Sequence, residues 1–287
     1  MTAFDEYRGL LFAVAYRILG TVADAEDVVQ DTWVKWSAAD RTDVADPKAY
    51  LARITTRLAI DRLRARQARR ETYLGPWLPE PVVTTADTAD DVSIALLLVL
   101  ENLTPLERAV FVLHEAFGFT HAEIAEAVDR SPDTVRQAAH RAREHVRARR
   151  PRFSATRARH REVTERFLAA AVGGDLNTLL ELLAPDVTLW TDGGGKVRQA
   201  MRPVVGAERV AAWFAGVATR PYEGVDPADM SAEVLDLNGT AGVVFRGAGR
   251  VVAALTLDLD DAGRIAGLHN VANPDKLRAV PDRPSPD

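Results

Sequence analysis

One stretch constrains the fold of this chain more than any other feature: residues 103–149, whose pattern divides into three helical pieces. Thr104 and Pro105 predict the start of the first piece, because threonine caps a helix and proline suits its first position. Glu107, three residues after the threonine, completes the pattern of a capping box. Gly118 then predicts where this first helix ends.

The second and third pieces predict a helix-turn-helix. Thr120 caps the second helix, a tight break follows at residues 129–130, and Ser131 with Pro132 begins the third helix. The third helix has a polar side opposite an apolar side, as expected of a helix that enters the major groove of DNA. The alternative, three helices of an ordinary bundle, would leave so basic a third helix unexplained. The polar side carries Ser131, Asp133, Thr134, Arg136, Gln137 and His140, and the apolar side carries Val135, Ala138, Ala139 and Ala142.

The charge of the chain is arranged in blocks. A net charge of −5 would argue against a nucleic-acid-binding protein if it were spread evenly. Residues 53–70, however, contain seven arginines and one acid, and residues 130–161 contain eleven arginines and two acids. Residues 71–101, between them, contain six acids and no base. Two basic faces joined by an acidic connector fit two DNA contacts separated by a segment that avoids DNA.

Apolar residues at helical spacing predict two helices over residues 4–37, with a break at Gly20. The second of these helices has a cluster of acids near its start, where negative charge suits the helix dipole. The dipole does not account for Gln30 and Asp31 further along, so a basic partner protein is an alternative explanation of this face. The acids near the helix start are Asp24, Glu26 and Asp27.

Pro47 predicts the start of a further helix, whose exposed side is mostly arginine. An arginine-rich face is often only solvated. Here Tyr50 and the loop at residues 40–47 lie beside the arginines, and an aromatic ring beside arginines is what stacking on unpaired bases requires.

Residues 71–92 predict a linker, since three prolines at residues 76–81 exclude regular helix and strand. Trp77 is unexpected there because an exposed tryptophan is costly to solvate, so we expect it to dock. The linker would place residues 1–70 and 93–150 in separate domains.

The composition changes after Pro151, and residues 162–287 contain 12 basic and 18 acidic residues. Helices followed by a series of strands predict an α+β domain, in which a curved sheet packs on helices and leaves a pocket at the open end of a cone. Helices are predicted at 161–172 and 176–183 and around Val210, Trp213 and Phe214, and strands at 187–190, 197–202, 232–237, 240–245, 250–259 and 264–271.

Composition also limits the class of protein. Without cysteine, disulfides and thiolate chemistry are excluded. The apolar run at 95–100 is too short to span a membrane, and the acidic, amphipathic N-terminus is not typical of a signal peptide. We therefore expect a cytoplasmic protein without membrane contact, metal or cofactor.

With these motifs in order, the chain resembles a bacterial extracytoplasmic-function sigma factor of the sigma-70 family, a promoter-specificity subunit of RNA polymerase. DAEDVVQDTWVKW (24–36) resembles the segment that grips the polymerase clamp helices, and YLARITTRLAIDRLRARQARR (50–70) the segment that reads and melts the −10 promoter element. Residues 93–150 resemble the −35-reading domain, and residues 160–287 a SnoaL-like, NTF2-like domain fused to one subgroup. Three short matches to that subgroup are WLPEP (77–81), DGGGK (192–196) and NPDKL (273–277).

The resemblance implies a multidomain protein, without enzymatic activity, that directs core RNA polymerase to promoter DNA, in a stress response. It implies region 2 at residues 1–70, a linker at 71–92, region 4 at 93–150 and a regulatory domain at 160–287. The first two folded regions would be all-α and the last α+β. Core polymerase would bind Asp27, Gln30, Asp31 and Trp33. The −10 element would bind Tyr50, Arg53, Arg57, Arg62, Arg64 and Arg66. The −35 element would bind Thr134, Arg136, Gln137, His140, Arg141, Arg143 and Arg147.

For the C-terminal domain, the sequence leaves an enzyme and a regulatory module open. A SnoaL-type cyclase would need a buried acid–base residue, and Asp192, Asp258 and His269 are the titratable candidates. Aspartate before glycine is most often a turn residue, and a strand histidine is more often a core residue, so the regulatory module is favoured. It would hold the linker in place of a separate anti-sigma protein. A small ligand in the cone, with Trp190 and Trp213 in its wall, is also open. The regulatory contacts would be Trp77, Leu78, Pro79, Asp192, Gly193, Gly194, Lys196, Asn273, Pro274 and Asp275.

The alternative to a sigma factor is a one-component DNA-binding transcription regulator with a ligand-sensing or vestigial cyclase-like domain. Such a regulator would bind duplex DNA alone as a dimer. A sigma factor would bind free DNA weakly and associate with core polymerase.

Overall fold

The computed structural model describes residues 3–39, 44–70, 73–84, 93–149 and 156–282. They form two compact units. The helical unit contains Met1–Thr72 and Leu96–Arg150, and the C-terminal unit contains Tyr73–Ala95 and Pro151–Asp287. This division differs from the predicted segments, because regions 2 and 4 share one unit and the linker belongs to the other.

The helical unit consists of seven helices in the part of the chain that is described. Their first three, α1 to α3, pack around a shared apolar core that includes Leu11, Trp36 and Leu51. The helices are α1 (Ala3–Leu19), α2 (Val22–Ala38), α3 (Pro47–Arg70), α4 (Ile94–Glu101), α5 (Pro105–Phe111), α6 (His121–Val128) and α7 (Pro132–Arg149), and a π-helical turn, Val112–Ala116, continues α5.

The helix starts predicted at residues 104–132 are those of the structure. Thr104 and Thr120 each form a complete capping box, with Glu107 and Glu123 as their partners. Asp129 ends α6 in the left-handed conformation, with φ of 53°, and so makes the tight turn before α7. The predicted apolar side of α7, Val135, Ala138, Ala139 and Ala142, is buried.

Two arginines explain why regions 2 and 4 share a unit. Arg57 of α3 donates from Nε to the carbonyl oxygen of Ala127 at 2.9 Å and from a terminal nitrogen to that of Glu126 at 3.0 Å. These carbonyls lie at the C-terminal end of α6, where helical carbonyls lack partners within the helix. Arg108 of α5 is buried, donates to the carbonyl oxygen of Arg17 at 3.1 Å and pairs with Glu101. Sequence spacing carries no information about such pairs, so separate domains were the natural expectation.

The C-terminal unit is a six-stranded sheet that packs on three helices among its described residues. Its strand order is β2-β1-β6-β5-β4-β3, in which β1 and β6 are parallel and the other pairs antiparallel. The strands are β1 (Leu183–Asp192), β2 (Val204–Val205), β3 (Ser231–Leu237), β4 (Thr240–Gly247), β5 (Arg250–Leu259) and β6 (Ile265–Val271), and the helices are α8 (Arg157–Gly173), α9 (Leu176–Leu182) and α10 (Ala207–Ala218).

The strand predicted at residues 197–202 is wrong, since these residues are irregular and the short strand β2 follows them at Val204–Val205. The backbone N–H groups of Lys196 and Val197 both donate to the Gly193 carbonyl, at 3.0 and 3.1 Å. The Thr191 hydroxyl donates to the Ala200 carbonyl at 3.0 Å. The chain therefore folds back on the end of β1 through local hydrogen bonds and does not extend beside it.

The core of the C-terminal unit lies between the sheet and α8, α9 and α10. Phe167 of α8 and Phe214 of α10 meet edge to face, with 5.0 Å between ring centroids. Leu255, Leu257 and Leu268 of the sheet pack against them. Burying a side chain of this size stabilises the fold by about 1.5–3 kcal/mol. In the described part of the chain, no helix is both long and apolar enough to cross a membrane.

Candidate polymerase- and DNA-binding surfaces and the linker site

The predicted polymerase-binding residues lie together on the exposed face of α2. Asp27, Gln30, Asp31 and Trp33 are all solvent-exposed. The indole of Trp33 is 40% exposed and packs against the ring of Phe4, with 5.1 Å between centroids. An exposed tryptophan among acids is a typical surface for a partner protein with basic and apolar groups.

Besides Arg57, two further arginines predicted to bind the −10 element are occupied within the helical unit. Arg62 donates to Asp24 at 2.7 Å and also to Asp27. The side chain of Arg66 is 16% exposed and lies 3.7 Å from Asp24 and 3.6 Å from Glu101. Burial would raise the pKa of Asp24, but hydrogen bonds from Thr21 and Arg62 outweigh it and lower this pKa. These arginines hold α2 against α3, so the exposed face of α3 is less basic than the sequence predicts.

Two of the other −10 candidates, Tyr50 and Arg53, line a cavity of about 540 Å³ beside α6. The guanidinium of Arg53 lies over the ring of Tyr50, 4.9 Å from its centroid, and both residues line this cavity. Arg64 is exposed and forms an ion pair with Asp61 at 3.3 Å. Tyr50 and Arg53 thus form the predicted aromatic–cation pair, while residues 40–43 of the predicted base-binding loop lie outside the described residues.

The predicted −35-reading side chains project from one side of α7. Arg136, Gln137, His140 and Arg147 are exposed, and Thr134 is half-buried. The hydroxyl groups of Ser131 and Thr134 share a hydrogen bond of 2.9 Å at the start of the helix. Polar side chains at the N-terminal end of this second motif helix are those that reach base edges in a helix-turn-helix.

Arg141 and Arg143 differ from the other −35 candidates because they fasten α7 to α5 and the turn after it. Arg141 donates from Nε to Glu107 at 2.6 Å, and Arg143 donates from Nε to Glu115 at 2.7 Å. Burial would raise the pKa of Glu107, but hydrogen bonds from Arg141 and Thr104 outweigh it and lower this pKa. Contact of these two arginines with DNA stays a prediction, alongside a packing role that the sequence did not indicate.

The described part of the linker, Tyr73–Thr84, lies on the C-terminal unit. Asp192, at the end of β1, is fully buried and accepts hydrogen bonds from the backbone N–H of Leu78, at 2.8 Å, and from the hydroxyl of Tyr73. Further along, Val83 forms an antiparallel bridge with Leu237 of β3. The carboxylate predicted to be a turn residue therefore also binds the linker.

Lys276 completes this contact. Its ammonium lies 2.7 Å from the Asp192 carboxylate, donates to the Leu78 carbonyl, and lies 4.0 Å from the centroid of the Trp77 ring. A desolvated ammonium over an indole is a favourable cation–π arrangement. Trp77 thus docks on Lys276, which lies within the tail 273–277 predicted to hold the linker but is not singled out there as a contact.

Glycines let the DGGGK loop approach the NPDKL segment closely. Gly194 has φ of +60°, and a Cβ there would overlap the side-chain amide of Asn273. Asn273 in turn donates to the Tyr73 hydroxyl at 3.1 Å, and Lys196 pairs with Asp275. We call the convergence of these segments the linker site: Tyr73, Trp77, Leu78, Asp192, Gly194, Asn273 and Lys276.

Three further predicted contacts are placed as follows. Pro79 is buried, whereas Pro274 is exposed. Gly193 packs tightly, because a Cβ there would overlap the Val197 carbonyl. Tyr73 was missed by sequence reasoning, since it lies outside all three short motifs. Burial and its hydrogen bond to Asp192 raise the pKa of Tyr73, so its hydroxyl keeps its proton and acts as a donor.

The other acid–base candidates, Asp258 and His269, lie on the sheet face opposite the helices. The imidazole of His269 is buried and stacks on Trp190, with 5.0 Å between centroids and 12° between planes. Its Nδ1 lies 3.7 Å from the Asp258 carboxylate. Burial raises the pKa of Asp258 and lowers that of His269, so it disfavours charge on each, although the Asp258 side chain is still 21% exposed. Trp190 therefore does not line the cone, which corrects the prediction for this residue, whereas Trp213 does.

Two helical regions with these surfaces, followed by an α+β unit that binds the linker between them, define a sigma factor with a fused C-terminal domain. Comparison with family models matches Sigma-70 region 2 at residues 3–69 and Sigma-70 region 4 at residues 93–146. The chain belongs to the extracytoplasmic-function RNA polymerase sigma factors.

Full-length relatives carry the same assignment. The ECF RNA polymerase sigma factor SigJ of Mycobacterium tuberculosis is 40% identical over 301 residues, which cover 98% of this chain and 94% of that protein. The probable sigma factor SigI of the same organism is 34% identical, over 96% of this chain and 95% of that protein. The crystal structure of SigJ superposes with a TM-score of 0.77 at 36% identity and covers 97% of this chain and 99% of that one.

The sequence left two classes open, a sigma factor and a one-component DNA-binding transcription regulator. The similarity to these relatives shows that the protein is a sigma factor. The protein binds core RNA polymerase and promoter DNA, directs transcription initiation, and is not an enzyme. The similarity to SigJ also supports the SnoaL-like, NTF2-like arrangement of the C-terminal unit.

Proposed function

We propose that the SnoaL-like domain modulates the sigma factor in cis by binding the linker between regions 2 and 4. The observation that carries this proposal is the buried pair of Asp192 and Lys276, which binds Leu78 at both its N–H and its carbonyl. A linker held at its backbone and at Trp77 limits how far regions 2 and 4 separate. Such a domain takes the place of a separate anti-sigma protein, in the cytoplasm where the polymerase acts.

We further propose the division of labour among the exposed residues. Asp27, Gln30, Asp31 and Trp33 contact core polymerase. Tyr50 and Arg53, with Arg57 and Arg64, bind the −10 element, where aromatic and cationic stacking offsets the cost of unstacking a base. Arg62 and Arg66 position α3. The −35 element is read by Thr134, Arg136, Gln137 and His140, while Arg141, Arg143 and Arg147 contact its backbone.

The linker proposal is tested by run-off transcription with core polymerase. Trp77→Ala removes the ring beneath Lys276, and Trp190→Phe, on the sheet face away from the helices, is its matched control. We expect Trp77→Ala to change transcript yield several-fold, with co-purification of core polymerase unchanged and Trp190→Phe like wild type. Equal yields from all three proteins would contradict regulation through the linker.

The −35 assignment is tested by promoter binding of the polymerase holoenzyme. Arg136→Ala should weaken binding by about 1–3 kcal/mol, the usual worth of an arginine that donates two hydrogen bonds to one base edge. Arg264→Ala, which removes an arginine of the C-terminal unit with a partly exposed side chain, is the control and should leave binding unchanged. Unaltered −35 preference in Arg136→Ala would overturn this residue's role.

A further inference from the structure

The linker is anchored to the C-terminal unit at a second place, beyond the linker site. Strand β3 lies at the edge of the sheet, and linker residues 82–84 run beside it. The N–H of Thr84 donates to the Asp236 carbonyl, and the N–H of Asn238 donates to the Val82 carbonyl, both at 2.9 Å. An edge strand leaves backbone groups unpaired, and the linker pairs two of those at this edge.

The turn that joins β3 to β4 consists of Asn238 and Gly239. Leu237 pairs with Thr240, so these two residues alone form the loop, and their φ angles are 51° and 79°. Positive φ at both positions is what a type I′ turn requires, and asparagine followed by glycine is a preferred pair for it. The sequence contains no other Asn-Gly pair.

The linker covers this turn. Asn238 is 3% exposed, and its side-chain oxygen accepts from the N–H of Val82 at 3.1 Å. The N–H of Gly239 donates to the hydroxyl of Thr84 at 3.1 Å. Turns between strands usually lie on the surface, whereas here the linker contacts both members of the pair.

An Asn-Gly pair is chemically labile, because glycine has no Cβ to hinder attack on the asparagine side chain. The backbone nitrogen of the glycine loses its proton and bonds to the side-chain carbonyl carbon of the asparagine. The side-chain nitrogen leaves as ammonia, and a cyclic succinimide remains. Water then opens this ring at one of its two carbonyl groups, which gives aspartate or isoaspartate.

The docked linker opposes both requirements of this reaction. The Gly239 nitrogen must lose its proton, which the hydrogen bond to the Thr84 hydroxyl retains. The Asn238 side chain must turn toward that nitrogen, whereas its hydrogen bond with the Val82 N–H holds it in place. Departure of the linker removes both hydrogen bonds and leaves the pair open to water.

We propose that Asn238 is a site of spontaneous deamidation that the docked linker protects, so that chains whose linker has left the C-terminal unit are modified faster. This site rests on the proposed function, because it presupposes that the linker is not always bound. Isoaspartate adds a carbon atom to the main chain of a two-residue turn, and the length of the turn sets the register of its strands. Modification therefore weakens the second anchor and favours the released linker.

The test incubates the folded full chain at neutral pH and follows conversion of Asn238 by peptide mass spectrometry. Thr84→Ala removes the hydroxyl that retains the Gly239 proton, and Trp77→Ala loosens the linker at the linker site. We expect both variants to deamidate Asn238 at least several-fold faster than wild type. Thr219→Ala removes a hydroxyl that bonds to the last turn of α10, and should react as wild type does.

Thermal unfolding checks that each variant is folded, and in urea, where no linker is docked, all four proteins should react at the same rate. Equal rates in the folded wild type and both linker variants would overturn the protection. Faster reaction in Thr84→Ala alone would overturn the dependence on docking, since the hydroxyl by itself would then protect the turn. Transcript yield of Trp77→Ala is measured separately, so an unchanged yield with faster deamidation would contradict the linker proposal and leave this site intact.

Discussion

At the scale of single residues, the position of the linker depends on two opposite charges, those of Asp192 and Lys276, that are buried together. The side chain of Asp192 is fully buried and that of Lys276 is 6% exposed. Removing one partner of such a pair leaves the other charge without compensation in a medium that solvates it poorly. The ion pair of Lys196 with Asp275 lies close by but is exposed. It contributes little to the stability of the fold because water screens both charges.

Asp192→Asn should therefore lower the free energy of unfolding by about 3 kcal/mol, since it leaves the Lys276 ammonium unpaired. Asp275→Asn breaks the exposed pair and should cost less than about 1 kcal/mol. Urea unfolding followed by tryptophan fluorescence measures both. Equal losses in the two variants would show that the Asp192–Lys276 pair does not hold the linker site together.

The DGGGK loop requires glycine at residue 194. Gly194→Ala should destabilise the protein by about 2 kcal/mol or more, because alanine is strained at positive φ and its Cβ would overlap Asn273. Gly216→Ala is the control: this glycine lies within α10, with nothing within 4 Å of a Cβ. Alanine there should be neutral or should stabilise the protein by up to about 1 kcal/mol. Thermal unfolding distinguishes the two, and a stable Gly194→Ala protein would be inconsistent with the close approach.

At the scale of elements, α7 is fastened to α5 by one carboxylate with two roles. Glu107 completes the capping box of α5 and accepts from Arg141 of α7. The sequence reveals the first role, because a capping box is a local pattern, and hides the second. The same residue thus starts α5 and holds α7 against it.

The stability that Glu107 contributes should depend on pH. Because its folded-state pKa is lowered, this contribution is complete above about pH 4.3, the usual pKa of glutamate, and is lost as the pH falls from there through the lowered value. Glu107→Gln should therefore be less stable than wild type at pH 7, and the difference should narrow below about pH 4.3. Urea unfolding across this range measures it, with Glu181→Gln, at an exposed residue of α9, as the control. A difference that stays constant with pH would contradict this role.

At the scale of the whole molecule, regions 2 and 4 pack against each other in the free chain. Arg57 of region 2 donates to two carbonyls of region 4, and Ala49 and Glu126 line the same cavity between α3 and α6. The two promoter elements, however, are separated along the duplex. We infer that α3 and α6 must part when the polymerase holoenzyme binds a promoter.

Cysteine cross-linking tests this separation without background, because the chain has no cysteine of its own. In the double variant Ala49→Cys, Glu126→Cys, a short bis-maleimide should cross-link the free protein efficiently. Addition of core polymerase and promoter DNA should reduce the yield at least several-fold. The two single-cysteine variants are the controls, and equal yields before and after assembly would contradict the separation.

The sequence by itself determined the local features. Capping residues fixed the starts of α5, α6 and α7, hydrophobic periodicity fixed the buried side of α7, and motif order indicated the family. The capping and periodicity patterns were readable because each depends on residues within about four positions of one another. The same holds for the glycines of the DGGGK loop, where a turn was expected and found.

Only the tertiary structure decided which distant residues meet. It paired Arg62 with Asp24 and placed Trp77 beneath Lys276. It also put Trp190 on the sheet face opposite the helices of the C-terminal unit, and folded residues 197–202 into a loop. None of these outcomes follows from spacing along the chain, because an arginine on an exposed-looking face and one bound to a carboxylate of another helix have the same local pattern. Their energies arise from desolvation and charge pairing, which are set when the elements pack.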